Sequence, residues 1–97
     1  MVDSSPILVS ACLLGVSCRY DGTGQADERI VALAKTHHLI PVCPEQLGGL
    51  PTPRPSAERN GTRVLTRDDR DVTAPFQRGA EETLRLARLF SCRIAIL

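Results

Sequence analysis

Cys12 ends one apolar run, Ile7-Leu8-Val9-Ser10-Ala11, and Cys43 ends another, Leu39-Ile40-Pro41-Val42. Both runs read as β-strands. In an open α/β sheet, ligands and cofactors sit in the crevice outside the carboxyl ends of the strands. Two thiols delivered to that edge can meet although they are far apart in the chain. Pro44 and Glu45 follow the second thiol. Soft thiols with a carboxylate beside them suit a soft metal or an iron–sulfur group served by an acid–base residue. Glu45 is the candidate to activate water or carry protons. Gly48 and Gly49 let backbone approach a ligand closely.

The elements that position these groups follow from the pattern. Residues 7–11 are short, apolar and partly β-branched, as in a buried parallel strand. Residues 12–25 contain Gly15, Gly22 and Gly24 and an Asp-Gly pair, and read as an irregular loop. Residues 27–37 read as a helix capped by Asp27, with Ile30, Leu33, Ala34 and His37 at helical spacing. The strand at 39–43 completes a βαβ unit, whose crossover is expected to be right-handed. Residues 44–56 carry four prolines and two glycines, and read as a structured loop or a poor helix. Residues 62–66 and 71–73 flank Arg67-Asp68-Asp69-Arg70 and suggest a peripheral hairpin. Thr73 suits the cap of a long helix running to about Ser91, with Phe76, Ala80, Leu84 and Ala87 on one face. Residues 93–97 (RIAIL) form a third strand. The expected fold is one small α/β domain over residues 1–97, mainly a parallel sheet with helices on its faces (Rossmann-like), plus the hairpin.

Composition narrows the classes of function. The chain has 97 residues, formal net charge +1 and no Trp. Its aromatics are Tyr20, Phe76 and Phe90, too few for base stacking along a single strand. The basic residues are scattered, which counts against a nucleic-acid partner. No apolar run approaches the ~20 residues of a membrane span, and residues 1–6 lack the basic start of a signal peptide. A cytoplasmic location is expected. Four cysteines in such a chain are more often reduced, metal-bound or catalytic than disulfide-bonded.

The stretches SACLLGVSCRYDG (10–22), PVCPEQLGGLPTPRPSAE (41–58) and RIAIL (93–97) together resemble a bacterial family long catalogued only as a domain of unknown function. It is now represented by thiouracil desulfidases that carry a [4Fe-4S] cluster. The resemblance spans nearly the whole chain. It implies that three cysteines hold the cluster and leave one iron open. Cys12 in SACL matches the first and Cys43 in CPE matches the second. The third lies in a Ser-Pro-Ser-Cys-Gly motif shortly after the strand that matches RIAIL, and the sequence stops before it. The chain is therefore expected to correspond to the front two-thirds of a family member, truncated at the C-terminal end. The implied reaction is a hydrolase-like desulfuration of a thiolated pyrimidine of the 2-thiouracil type, without net electron transfer. The oxo base forms and sulfide is released. An open iron acts as a soft Lewis acid toward the thiocarbonyl sulfur. Glu45 then serves water or the pyrimidine ring, and the partner is a small thiolated nucleobase. The exposed edge at 93–97 would favour pairing between chains, hence a homodimer.

Blander readings stand beside these. A lone cysteine after a strand is usually a small buried hydrophobe. Cys18 reads as a plain loop cysteine rather than a third thiol of the site, and Cys92 as a core residue. His37 and His38 read as a helix C-terminus rather than as metal ligands. Arg54, Glu58 and Arg59 read as a surface ion-pair set before they read as an anion site. Asp21 belongs to a turn. Two other functions compete with desulfuration: a cluster-dependent sulfur carrier or tRNA-thiolation accessory, and a non-catalytic metal-binding interaction module.

Overall fold

The structure is a computed structural model and describes residues 5–97. Residues 1–4, at the start of the stretch read as lacking a signal peptide, lie outside the described residues. The order is β1 (Ile7–Ser10), a 3-10 turn (Ala11–Leu14), α1 (Glu28–Leu33), β2 (Leu39–Val42), α2 (Pro44–Leu47), β3 (Ala57–Asn60), β4 (Arg63–Thr66), α3 (Thr73–Leu89) and β5 (Ile94–Ile96).

The sheet is three-stranded and parallel, in the order β2-β1-β5. β1 lies between Leu39–Val42 on one side and Ile94–Ile96 on the other. A central strand covered on both faces must be apolar at successive positions. Leu8 and Val9 accordingly keep 1% and 0% of their surface. The outer strand β5 is less covered, and Ile94 stays 55% exposed. The α/β fold with a parallel sheet is as the sequence predicts.

Four local features differ from expectation, each for a physical reason. The first helix spans only Glu28–Leu33 and buries no residue. Asp27 caps it, accepting from the Arg29 N–H at 2.9 Å. Beyond Leu33 the amides of Ala34, Lys35 and Thr36 bond three residues back, to Val31, Ala32 and Leu33. Such bonds tighten and end an α-helix.

The hairpin is shifted. Its strands are β3 and β4, paired antiparallel with Asn60 opposite Arg63. The turn is Gly61-Thr62, with Gly61 at φ 64°. Glycine at the first central position suits the type II′ turn that matches strand twist. The turn expected at 67–70 also forms, held by the Asp69 N–H on the Thr66 carbonyl at 3.0 Å and the Thr66 N–H on the Arg70 carbonyl at 2.8 Å, and beyond it Asp71 makes only an isolated antiparallel bridge with Leu65.

Helix α3 starts at Thr73, but Thr73 is not its cap. Asp71 Oδ1 accepts the Thr73 N–H at 2.9 Å, and Thr73 Oγ1 accepts from the Val64 N–H at 2.8 Å. The hydroxyl thus ties the helix to β4. The buried positions of α3 are Gly79 and Thr83, whereas Ala80 is exposed and Leu84 is 50% exposed. The inward face is turned toward small residues because another helix lies against it at backbone distance.

That neighbour is α2. A Cβ built at Gly79 would sit 2.0 Å from the Pro44 carbonyl oxygen, and one at Gly48 would sit 2.0 Å from the Pro75 carbonyl oxygen. Only glycine fits at either place. The crossing presses the long helix directly onto the turn that follows Cys43, which is how the fold fixes that end of the site.

Candidate thiol site at the carboxyl edge of the sheet

β1 runs straight into the 3-10 turn that carries Cys12. Gly15 ends this turn at φ 95°, a left-handed conformation that glycine adopts freely. The Cys12 carbonyl accepts from Gly15 N at 3.0 Å and from Gln25 N at 2.8 Å. The glycine-rich loop therefore folds back on its own start. A Cβ at Gly24 would meet the Gly15 carbonyl oxygen at 2.4 Å, so this closure needs glycine as well.

β2 ends at Val42, and Cys43 is the N-cap residue of the single-turn helix α2, with Pro44 at its start. Proline at a first helical position has no N–H to leave unsatisfied. Glu45 lies in the first turn. Both cysteines and Glu45 line one cavity of about 500 Å³, which is walled also by Val42, Leu50, Val72 and Phe76. The Cys43 sulfur lies 3.4 Å from Glu45 Oε2 and 3.7 Å from the Cys18 carbonyl oxygen. Its one proton has two acceptors within reach, a carboxyl oxygen and a backbone carbonyl.

Two residues with little to mark them in the sequence belong to this cavity. Cys18 is buried, with 3% of its surface exposed, and lines the cavity together with Cys12 and Cys43. Burial pushes its thiol up to about 11, helped by the charge of Cys43, a hydrogen bond with that thiol and the charge of Cys12, while Arg54 opposes the shift. Arg54 is the second. Its side chain is 8% exposed and pairs with Glu45 Oε2 at 3.7 Å. The signal for both lay in placement: Cys18 sits in the loop leaving β1, and Arg54 in the proline-rich stretch leaving α2.

Other residues weighed in the sequence stand elsewhere. Cys92 follows α3, half-buried, and does not line the cavity. Asp21 accepts from the Thr23 N–H and hydroxyl at 3.0 and 2.6 Å, the turn expected for it. His37 Nδ1 contacts the Thr36 hydroxyl at 2.8 Å. Glu58 and Arg59 lie on the exposed hairpin, apart from Arg54.

The donors present are chemically matched to an iron–sulfur group. All four cysteines are free thiols, and three of them line the cavity. Among the described residues no group of three or more His, Cys, Asp or Glu side chains could hold a metal ion. A cluster differs from a single ion in that each thiolate binds its own iron, so its ligands need not converge on one point.

Fold and site together define a small α/β protein with a thiol-lined crevice at the carboxyl edge of a parallel sheet. The sequence signature of the 2-thiouracil desulfurase family matches residues 7–97, and the chain belongs to that family. It is 40% identical to the uncharacterized protein YbbK of Bacillus subtilis (strain 168), over 94% of this chain and 67% of that one. Among solved structures it is similar to the [4Fe-4S]-dependent thiouracil desulfidase TudS, with a TM-score of 0.87 and 47% identity. That match covers 95% of this chain, and the chain spans 62% of the length of TudS. No helix among the described residues is long and apolar enough to cross a membrane.

Proposed function

We propose that the protein removes sulfur from a thiolated pyrimidine of the 2-thiouracil type, with Cys12 and Cys43 holding a [4Fe-4S] cluster and Glu45 moving protons. The single observation that carries this reading is the meeting of Cys12, Cys43 and Glu45 at one cavity, in a chain of this family. The overall reaction balances as thiouracil plus water giving uracil plus hydrogen sulfide. When bound, the cluster supplies a soft Lewis acid matched to a thiocarbonyl sulfur.

The chain's own residues do the rest. Val42, Leu50, Val72 and Phe76 give the cavity an apolar wall for a flat heterocycle and limit the water that reaches it. Glu45 lines the cavity two residues beyond Cys43, which supports its use as the general base. Its carboxylate takes a proton from the attacking water and returns one to the ring nitrogen or the departing sulfide. When Cys43 becomes a ligand, its thiol proton leaves to solvent by way of Glu45 Oε2, 3.4 Å away, which frees the carboxylate for the reaction.

Glu45→Gln is the direct test of the proton role. The variant should keep its iron and lose turnover by roughly 10²-fold, the scale of one acid–base group. Unchanged turnover would remove Glu45 from the mechanism, and loss of iron would make it a structural residue.

A further inference from the structure

Arg54 brings a positive charge into the cavity wall with only 8% of its side chain exposed. A guanidinium so placed needs acceptors for its donors. One terminal nitrogen donates to the Pro51 carbonyl at 3.3 Å and to Thr52 Oγ1 at 3.0 Å. The other donates to the Cys18 carbonyl at 3.2 Å and faces Glu45 Oε2 at 3.7 Å. The backbone N–H of Arg54 donates to the Tyr20 carbonyl at 2.7 Å. One residue therefore joins the loop after β1, the helix after β2 and its own proline-rich loop.

The carboxylate oxygen that Arg54 faces is also the one that lies 3.4 Å from the Cys43 sulfur. The groups run in a row: Arg54, Glu45, Cys43. Glu45 keeps about a third of its side chain exposed (33%), so packing alone does not set its rotamer. The Arg54 guanidinium lies within ion-pair range of one oxygen, at 3.7 Å. Lysine would bring the charge but not the planar fork that reaches Cys18 and Glu45 from one nitrogen and Thr52 from the other.

We propose that Arg54 is a positioning residue that holds the Glu45 carboxylate at the cavity wall and fastens the Cys18 loop to α2. Its kinetic consequence rests on the proton role given to Glu45 above. Its geometric consequence does not.

The test combines resonance and rate measurements. In the cluster-free chain carrying 13C at the Glu carboxyl carbons, the Glu45 signal is assigned by its absence in Glu45→Gln. Arg54→Lys should move that signal and leave those of Glu28, Glu58, Glu81 and Glu82 in place. Should Arg54→Lys fail to fold, Glu45→Gln in chain carrying 15N at Arg supplies the reciprocal measurement, and the Arg54 guanidinium signals should shift. In the cluster-loaded protein, Arg54→Lys should lower kcat on 2-thiouracil by about 10- to 100-fold with KM within about 3-fold, as for a misplaced catalytic group. Added to Glu45→Gln, it should cost less than the product of the two single losses, because the two residues share one contact. An unmoved carboxyl or guanidinium signal would overturn the proposal. So would losses that multiply in the double variant. If no form of the protein turns over 2-thiouracil, the proposed function fails, while the resonance shifts still decide where Arg54 acts.

Discussion

Gly79→Ala should unsettle the site from the far side of a helix. In an exposed helix interior this substitution normally stabilises, by about 1 kcal/mol of propensity. Here the sign should reverse. The new methyl would sit 2.0 Å from the Pro44 carbonyl oxygen and 2.9 Å from its carbon. Ordinary contact begins near 3.4 Å, so about 1.4 Å must open between α3 and α2. Both partners are backbone, and the Pro44 carbonyl already accepts from Gly48 N at 3.0 Å. Nothing at that point can swing away as a side chain would. Overpacking of this kind costs roughly 1–3 kcal/mol and occasionally more. Because both partners are backbone, the cost should lie at the upper end, about 2–3 kcal/mol; offset by the propensity gain, the net destabilisation should be about 1–2 kcal/mol, or a fall in Tm of about 5–15 °C for a domain of this size. Pro44 stands between Cys43 and Glu45, so a shift of about 1 Å there should also lower turnover by up to ~10²-fold. Thermal unfolding followed by circular dichroism measures the first effect, with Gln77→Ala, on the exposed side of the same helix, as control. A Gly79→Ala protein as stable as the control would refute the backbone contact between the helices.

Three further outcomes follow from the same geometry. In the cluster-free chain Cys18 should be the slowest of the four thiols to alkylate at pH 8, because its burial at 3% exposure shields it and its thiol is raised to about 11; guanidinium should abolish the difference. The raised value means that the folded chain holds the Cys18 proton where the unfolded chain has released it, so stability should fall as pH climbs from about 9 through about 11, and Cys18→Ser should remove that slope. Gly24→Ala should destabilise the chain, since its Cβ meets the Gly15 carbonyl oxygen at 2.4 Å; a melting curve like that of the parent would contradict the closed loop.

The sheet was legible because its signal is local and strong. Residues 7–10 and 39–42 are short apolar runs bounded by breakers, and in a buried parallel sheet that pattern needs no long-range knowledge. The hairpin turn was marked by Gly61, but Ala57–Asn60 is built largely of residues poor in strands, and only its pairing with β4 makes it one. The charged run 67–70 drew attention from it. The inward face of α3 was not legible from hydrophobicity. A glycine and a threonine face inward there, and close backbone packing selects small residues rather than apolar ones. Cys12, Cys43 and Glu45 could be placed together from strand ends alone. Arg54 could not, because an arginine among prolines looks exposed until the loop that covers it is folded. Cys18 was missed for the same reason.

The central claim is that this crevice performs desulfuration through thiol-held iron and sulfide. It is tested most directly by anaerobic reconstitution with iron and sulfide, then incubation with 2-thiouracil while uracil and released sulfide are both quantified. Uracil and sulfide appearing in equal amounts, with iron and turnover both lost in Cys12→Ser and in Cys43→Ser, is the result predicted. Iron retained at full level in both variants, or uracil formed without a matching amount of sulfide, would contradict it.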